Sequence, residues 1–340
     1  MSKNRKLSYI TNLVLVLGVF GVLYYLIATG VINRYMSGII TMVFINIILT
    51  VSLNLASGYL GQLVLGHAGF MSVGAYAAAL FSMYSGLPVS VSLPLGIVLG
   101  GLVAAVFSVI IGIPALRLRG DYLAIITLGF GEIIRVLILA FNFTGGAKGL
   151  RGISTFVEKG SKSNDVVKFT YVFFVAVLTV YIIFSFIRSR HGRAVIAIRE
   201  DEIAAEASGI NTTYYKLLAF ILAAFFAGIA GGLYAHHIGV LDPAKFNFNY
   251  SVEILVMVVL GGMGSITGSV ISATVLTILP ELLRQFSDYR MLAYSIILII
   301  VMLFRPTGLM GQYEFSLRKT AEKFTAKRKA RKATNTEKEA

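Results

Sequence analysis

Cysteine and tryptophan are both absent from this 340-residue chain. Without cysteine there is no disulfide, no thiolate nucleophile and no sulfur-ligated metal. Without tryptophan, an aromatic belt at a membrane interface has to come from the 17 tyrosines. Histidine occurs only four times, and no HExxH-type pair is present. His236 and His237 are adjacent, so on a helix they point in different directions and share no ion. No metal site and no cofactor are expected. The GxxxxGK[ST] phosphate loop is missing, so the chain does not bind ATP by a P-loop of its own. No nucleophile–base arrangement or pair of catalytic carboxylates stands out, which argues against an enzyme. Charge is scarce as well: 14% of residues are charged against 57% hydrophobic, and the mean hydropathy is +0.81. That balance points to an all-α polytopic membrane protein. Acid is the scarcer sign, with Asp+Glu 16 against Lys+Arg 30 and a net charge of +14. In a membrane protein this excess marks cytoplasmic loops and contact with the lipid bilayer. No folded soluble domain is present to carry it to nucleic acid.

What is present is a series of apolar runs. Residues 1–6, with Lys3, Arg5 and Lys6, read as a cytoplasmic N-terminus. Spans follow at 7–28, 37–56, 62–83, 89–113, 122–141, 169–187, 215–235, 266–283 and 291–304, with a shorter run at 252–260. A tight turn is expected at 57–61, and Pro114 is expected to end the fourth span. The 142–168 loop is placed outside. The nine residues of 252–260 make about 14 Å of helix, half a bilayer core. Counting that run separately gives about ten crossings. It puts the N-terminus, the 188–214 loop and the basic 309–340 tail all on the cytoplasmic side, as the positive-inside rule asks. Residues 7–308 then form one transmembrane domain. The second to fifth and seventh to tenth segments have opposite sense, each with a glycine-rich second member, which is the layout of an inverted-topology repeat.

The polar stretch 188–211, RSRHGRAVIAIREDEIAAEASGIN, interrupts the apolar runs. Ile198, Ile203 and Ile210 are spaced for one stripe of a single amphipathic helix. Such a helix either docks on a separate soluble ATPase or lies as an ordinary loop on the bilayer surface. Glu132 lies halfway along the fifth span with Arg135 one turn on. It is a pathway residue or half of an intrahelical ion pair. His67 either touches substrate or is a hydrogen-bonded structural histidine. Gly66, Gly69, Gly261, Gly262 and Gly264 flank two candidate helix breaks. They expose backbone to a zwitterionic cargo or permit close packing.

The runs SGYLGQLVLGHAGFMSVGAYAAAL from Ser57, RLRGDYLAIITLGFGEIIR from Arg117, TGGAKGL from Thr144, GRAVIAIREDEIAAEASGIN from Gly192 and VLGGMGSITG from Val259 resemble the branched-chain amino-acid permease subunits of ABC importers. The resemblance covers about residues 37–308. It implies the helical permease fold of such importers, in a bacterial cell membrane. It also implies two cytoplasmic ATPase subunits, a second permease subunit and an extracytoplasmic substrate-binding protein. The family's coupling segment falls on 197–209. Ala197, Ile198, Glu202, Ala204, Ala205 and Gly209 are then the residues that seat on the ATPase. Relatives that carry urea, short amides, sugars or nucleosides leave the cargo open. An ion-coupled secondary transporter is the alternative of another class, and Glu132 is the carboxylate it has to offer.

Overall fold

The computed structural model describes residues 3–118, 120–156, 162–284, 289–305 and 307–311. Arg119, Pro306, positions 157–161 of the loop and the tail from 312 onward lie outside the described residues, and so do the expectations placed there.

Among the described residues the chain is helical almost throughout. The helices are α1 (Lys3–Ala28), α2 (Arg34–Asn54), α3 (His67–Tyr84), α4 (Val89–Ala115), α5 (Asp121–Ala140), α6 (Lys162–Arg188), α7 (Arg190–Glu200), α8 (Glu202–Ala207), α9 (Thr212–Ile238), α10 (Phe248–Gly261), α11 (Ile266–Leu282) and α12 (Arg290–Phe304). Each apolar run carries a helix, and α7 and α8 fill the polar insert. Five stretches are long and apolar enough to cross a membrane alone: Arg34–Tyr59, Val89–Ala115, Asp121–Ala140, Asp165–Arg188 and Thr212–Ile238. Helices α10 and α11 are shorter, at 14 and 17 residues.

Helix starts are set by short polar side chains. Asn33, Ser189, Asp201, Asn211, Asn247 and Ser265 each accept a hydrogen bond from a backbone N–H of the turn they precede. Such caps satisfy donors that a helix cannot pair internally. Two expectations about helix ends need correction. The 57–61 stretch is not a tight turn, because Leu55–Tyr59 continues α2 as a π-helical turn. Pro114 does not stop α4, which runs to Ala115. A proline forfeits one N–H donor, a small loss when only one residue remains to be wound.

Two packing units make up the core. In one, α9 lies against α3 and α4; in the other, α2 lies against α10 and α11. The first is built on glycine. A Cβ on Gly231 would sit 2.0 Å from the Met71 carbonyl, one on Gly74 2.2 Å from Gly228 Cα, and one on Gly100 2.5 Å from the Gly74 carbonyl. Without side chains in between, the backbones touch and gain dispersion contacts along their length. The second unit is stitched by polar side chains. Asn46 donates to Thr277 Oγ1 (2.8 Å), and Ser272 donates to the Met257 carbonyl (2.5 Å). A two-residue antiparallel ladder, β1 (Leu150–Arg151) with β2 (Val240–Leu241), ties the 142–168 loop to the α9–α10 connection.

Candidate functional site

Among the described residues, the candidate site residues fall in three places. The first is the insert. Its single amphipathic helix is in fact two. Asp201 leaves the helical conformation and caps α8, its Oδ1 accepting from Ile203 N (2.9 Å) and Ala204 N (3.0 Å). The isoleucine stripe breaks with it: Ile198 is buried at 3% exposure, whereas Ile203 is 70% exposed. The residues expected to seat on a partner divide in two. Ile198 and Ala205 are buried within the chain. Glu202 forms an ion pair with the buried Lys216 of α9 at 2.7 Å. Ala197 is half-buried, and Ala204 and Gly209 face outward beside Ile203. Gly209, at φ +83°, makes the turn out of α8. The inner face of α8 thus holds it to α9, and its outer face is free.

The second place is where two helices begin. Ala68 N, in the first turn of α3, donates to Ser251 Oγ in the first turn of α10 (3.1 Å). The two N-termini therefore meet beside the middle of α5. There Glu132 Oε1 accepts from Phe248 N (3.1 Å), while its Oε2 accepts from Arg135 Nε (2.7 Å). The intrahelical ion pair is present, and the carboxylate also caps α10. A helix N-terminus carries partial positive charge, so an anion is favoured at this junction. Leu65, Gly69, Leu128, Gly131, Phe248 and Ser251 are among the residues that line a small depression around Glu132. Gly66 and Gly69 allow α3 to approach α5, since a Cβ would meet the Thr127 carbonyl at 2.1 Å and Gly131 Cα at 2.8 Å. His67 is 1% exposed, and its Nε2 lies 3.0 Å from Ser52 Oγ. It packs inside the bundle and lines no open surface.

The third place is the turn between α10 and α11. Gly261 lies against Gly268 (2.6 Å from a built Cβ), and Gly262 and Gly264 have φ of +106° and +88°. Close packing and left-handed turns account for all three. Asn54, buried at the end of α2, holds this turn with both halves of its amide. Its Nδ2 donates to the Ser265 carbonyl (2.9 Å) and Ser269 Oγ (2.8 Å), and its Oδ1 accepts from Gly264 N (2.9 Å). Neither Asn54 nor Arg199, which reaches the same region, stands out in the apolar pattern. The signal for Asn54 is that it is one of two amides, with Asn46, inside an apolar run, where an uncompensated polar group is expensive. Glu253 went unnoticed for a similar reason. It is an exposed carboxylate on α10 that a count of apolar residues absorbs.

Comparison with known proteins shows the family. A family model described as branched-chain amino acid transport system / permease component matches residues 35–305. The chain is similar to the high-affinity branched-chain amino acid transport system permease protein LivM of Salmonella typhimurium. The two are 40% identical over 304 residues, 82% of this chain and 71% of that protein. LivH of Escherichia coli, named as a permease protein of the same kind of system, is 37% identical over 146 residues, 42% of this chain and 46% of that one. BraD of Pseudomonas aeruginosa, also so named, is 34% identical over 165 residues, 47% and 53% of the two chains. A remoter likeness is to PsaBC from Streptococcus pneumoniae in complex with Fab, with TM-score 0.45 and 15% identity over 81% of this chain and 94% of that one. By the matched family model and the extent of its likeness to LivM, the chain belongs to the branched-chain amino acid transport system permease family.

Proposed function

We propose that this chain is a permease subunit of an ABC importer. It moves branched-chain amino acids inward and is powered by separate ATPase subunits that bind the outer face of α8. The observation that carries the reading is the division of α7–α8. One side is fixed to α9 through Glu202 and Lys216, and the other presents Ile203 at 70% exposure. An apolar side chain on an otherwise polar insert gains free energy when a partner covers it. Short, firmly mounted and apolar at its tip, α8 can take up a push without absorbing it. The N-terminus, the insert and the tail face the cytoplasm.

The remaining features fit that role. The ten helices outside the insert make about ten passes, with the short α10 and α11 packed against α2. The second to fifth and the last four helices form an inverted repeat. Its support is the exchange in packing: α2 takes the place among α10 and α11 that α9 takes among α3 and α4. Glu132 and the paired helix N-termini form part of the pathway wall. The carboxylate meets the cargo's ammonium, and the apolar lining meets its aliphatic side chain. A second permease subunit closes the other side. E. coli relatives of this chain bear two permease names, LivM and LivH, which favours a paralogue over a second copy. A binding protein delivers cargo from outside, and the gate opens by alternating access.

The test is reconstitution in liposomes with the cognate ATPases, second permease and binding protein. Leucine uptake that requires ATP, and that Ala204→Arg on the outer face of α8 abolishes, is the expected result. Uptake of urea or a sugar in place of leucine would overturn the cargo assignment. Uptake that persists without the ATPases and collapses with an ion gradient would overturn the importer itself.

A further inference from the structure

Arg199 lies in the last turn of α7, and its guanidinium leaves the insert. Nη1 donates to the Gly58 carbonyl at 2.8 Å. Gly58 lies in the π-helical turn Leu55–Tyr59 that closes α2. Beyond it the chain leaves the helix, so this carbonyl has lost its helical donor. It sits at the negative end of the α2 dipole, and a cation is well placed there. π-turns of this kind concentrate at positions that move or bind.

Arg199 reaches two further segments. A Cβ on Gly61, where the chain turns toward α3, would lie 3.0 Å from Arg199 Cγ. A Cβ on Gly264, in the α10–α11 turn, would lie 2.9 Å from Arg199 Nη1. On the far side of the π-turn, a Cβ on Gly58 would fall 1.7 Å from Asn54 Oδ1 and 2.5 Å from Gly264 N. Asn54 in turn holds Gly264, Ser265 and Ser269. One guanidinium and one amide, clasped by three glycines, therefore join α7 to both interrupted segments of the bundle.

We infer that Arg199 is the positioning residue that carries motion of the insert into the membrane: it locks α7 to the π-turn and, through Asn54, to the α10–α11 turn, so that the three move as one body. This rests on the proposal that the ATPases act at α8. A contiguous chain of contacts is not by itself coupling, so the consequence lies in efficiency. With the link cut, the ATPases still close on α8, but less of the stroke reaches the gate.

The experiment uses the complete transporter in liposomes and measures leucine uptake per ATP hydrolysed. A charged hydrogen bond of this type is worth on the order of 10–100-fold in an equilibrium. Arg199→Ala is expected to lower uptake per ATP by about tenfold or more, with Arg199→Lys intermediate. A merely structural role lowers uptake and hydrolysis together and leaves their ratio at the wild-type value. That result, like an unchanged ratio in a fully active variant, overturns the inference. Ala204→Arg runs alongside. If it leaves uptake intact, the ATPase site is misplaced. If it abolishes uptake while the Arg199→Ala ratio is unchanged, only the role of Arg199 fails. Spin labels in an otherwise wild-type chain check the rigid body directly. The distance from Arg193 on α7 to Met263 in the α10–α11 turn is expected to stay constant between nucleotide-free and ATP-bound states; a change in it overturns the inference whatever the variants do.

Discussion

The two packing units of the bundle occupy comparable positions and are held by different chemistry. Helix α9 meets α3 and α4 through Gly74, Gly100, Gly228 and Gly231, backbone on backbone. Helix α2 meets α10 and α11 through Asn46, Thr50 and Asn54, and Ser272 joins α11 to α10. The glycine contact has one way to fit, because dispersion at contact distance falls off within an ångström. Hydrogen bonds between side chains can be exchanged for others or for water at modest net cost. The difference teaches where motion belongs: α3, α4 and α9 form a stiff block, and the α2–α10–α11 side shifts against it, with the turns that Arg199 and Asn54 hold together carried as a unit.

The largest effect should come from filling the stiff block. Gly231→Leu places carbon 2.0 Å from the Met71 carbonyl and is expected to leave no monodisperse protein after solubilisation. Recovery of folded protein would show that the block is softer than its geometry. Next comes the stitched side. Asn54→Ala leaves the Gly264 N–H without its partner, at a cost of about 1–3 kcal/mol. The chain should still fold, with a lowered melting temperature in detergent; an unaltered melting temperature would remove Asn54 from the account. Glu132→Gln keeps an acceptor for Phe248 N and removes the charge. About tenfold slower uptake with normal assembly is expected, the equivalent of ~1.4 kcal/mol. Full activity would mean the carboxylate only caps α10. The smallest effect is that of Gly96→Ala. Its Cβ would lie 3.1 Å from the Ala78 carbonyl, a crowding that the gain in helix propensity of about 1 kcal/mol offsets. Melting temperature and uptake should both match wild type.

Much of this was legible in the residues. Long apolar runs in a chain with so little charge mark the helices, and polar residues such as Asn33, Asn211 and Ser265 mark their starts. The insert was found because it is polar. Its internal break was missed because a stripe of three isoleucines outweighed Asp201, although an aspartate before Glu202 is itself a start signal. Ala205 illustrates the limit of pattern. The pattern makes it a docking residue, yet it is buried within the chain, and only packing distinguishes the two faces of a helix so rich in alanine. The glycines at 261–264 drew attention to one break. The start of α10 at Asn247, where it meets α3, carries no such mark, because a side-chain cap and a tertiary contact make it. Glu253 and Arg199 had to wait for the structure, since the one is diluted by its apolar neighbours and the other's partner is 141 positions away in sequence.

Because the chain has no native cysteine, a single Ile203→Cys substitution reports on the outer face of α8 without interference. The decisive measurement is thiol cross-linking from that position in membranes containing the whole transporter, paired with a membrane-impermeant thiol reagent. The account predicts a covalent adduct with an ATPase subunit, and labelling only when the reagent reaches the cytoplasmic side. Labelling from outside the cell, or the absence of any adduct with a nucleotide-hydrolysing chain, would contradict it.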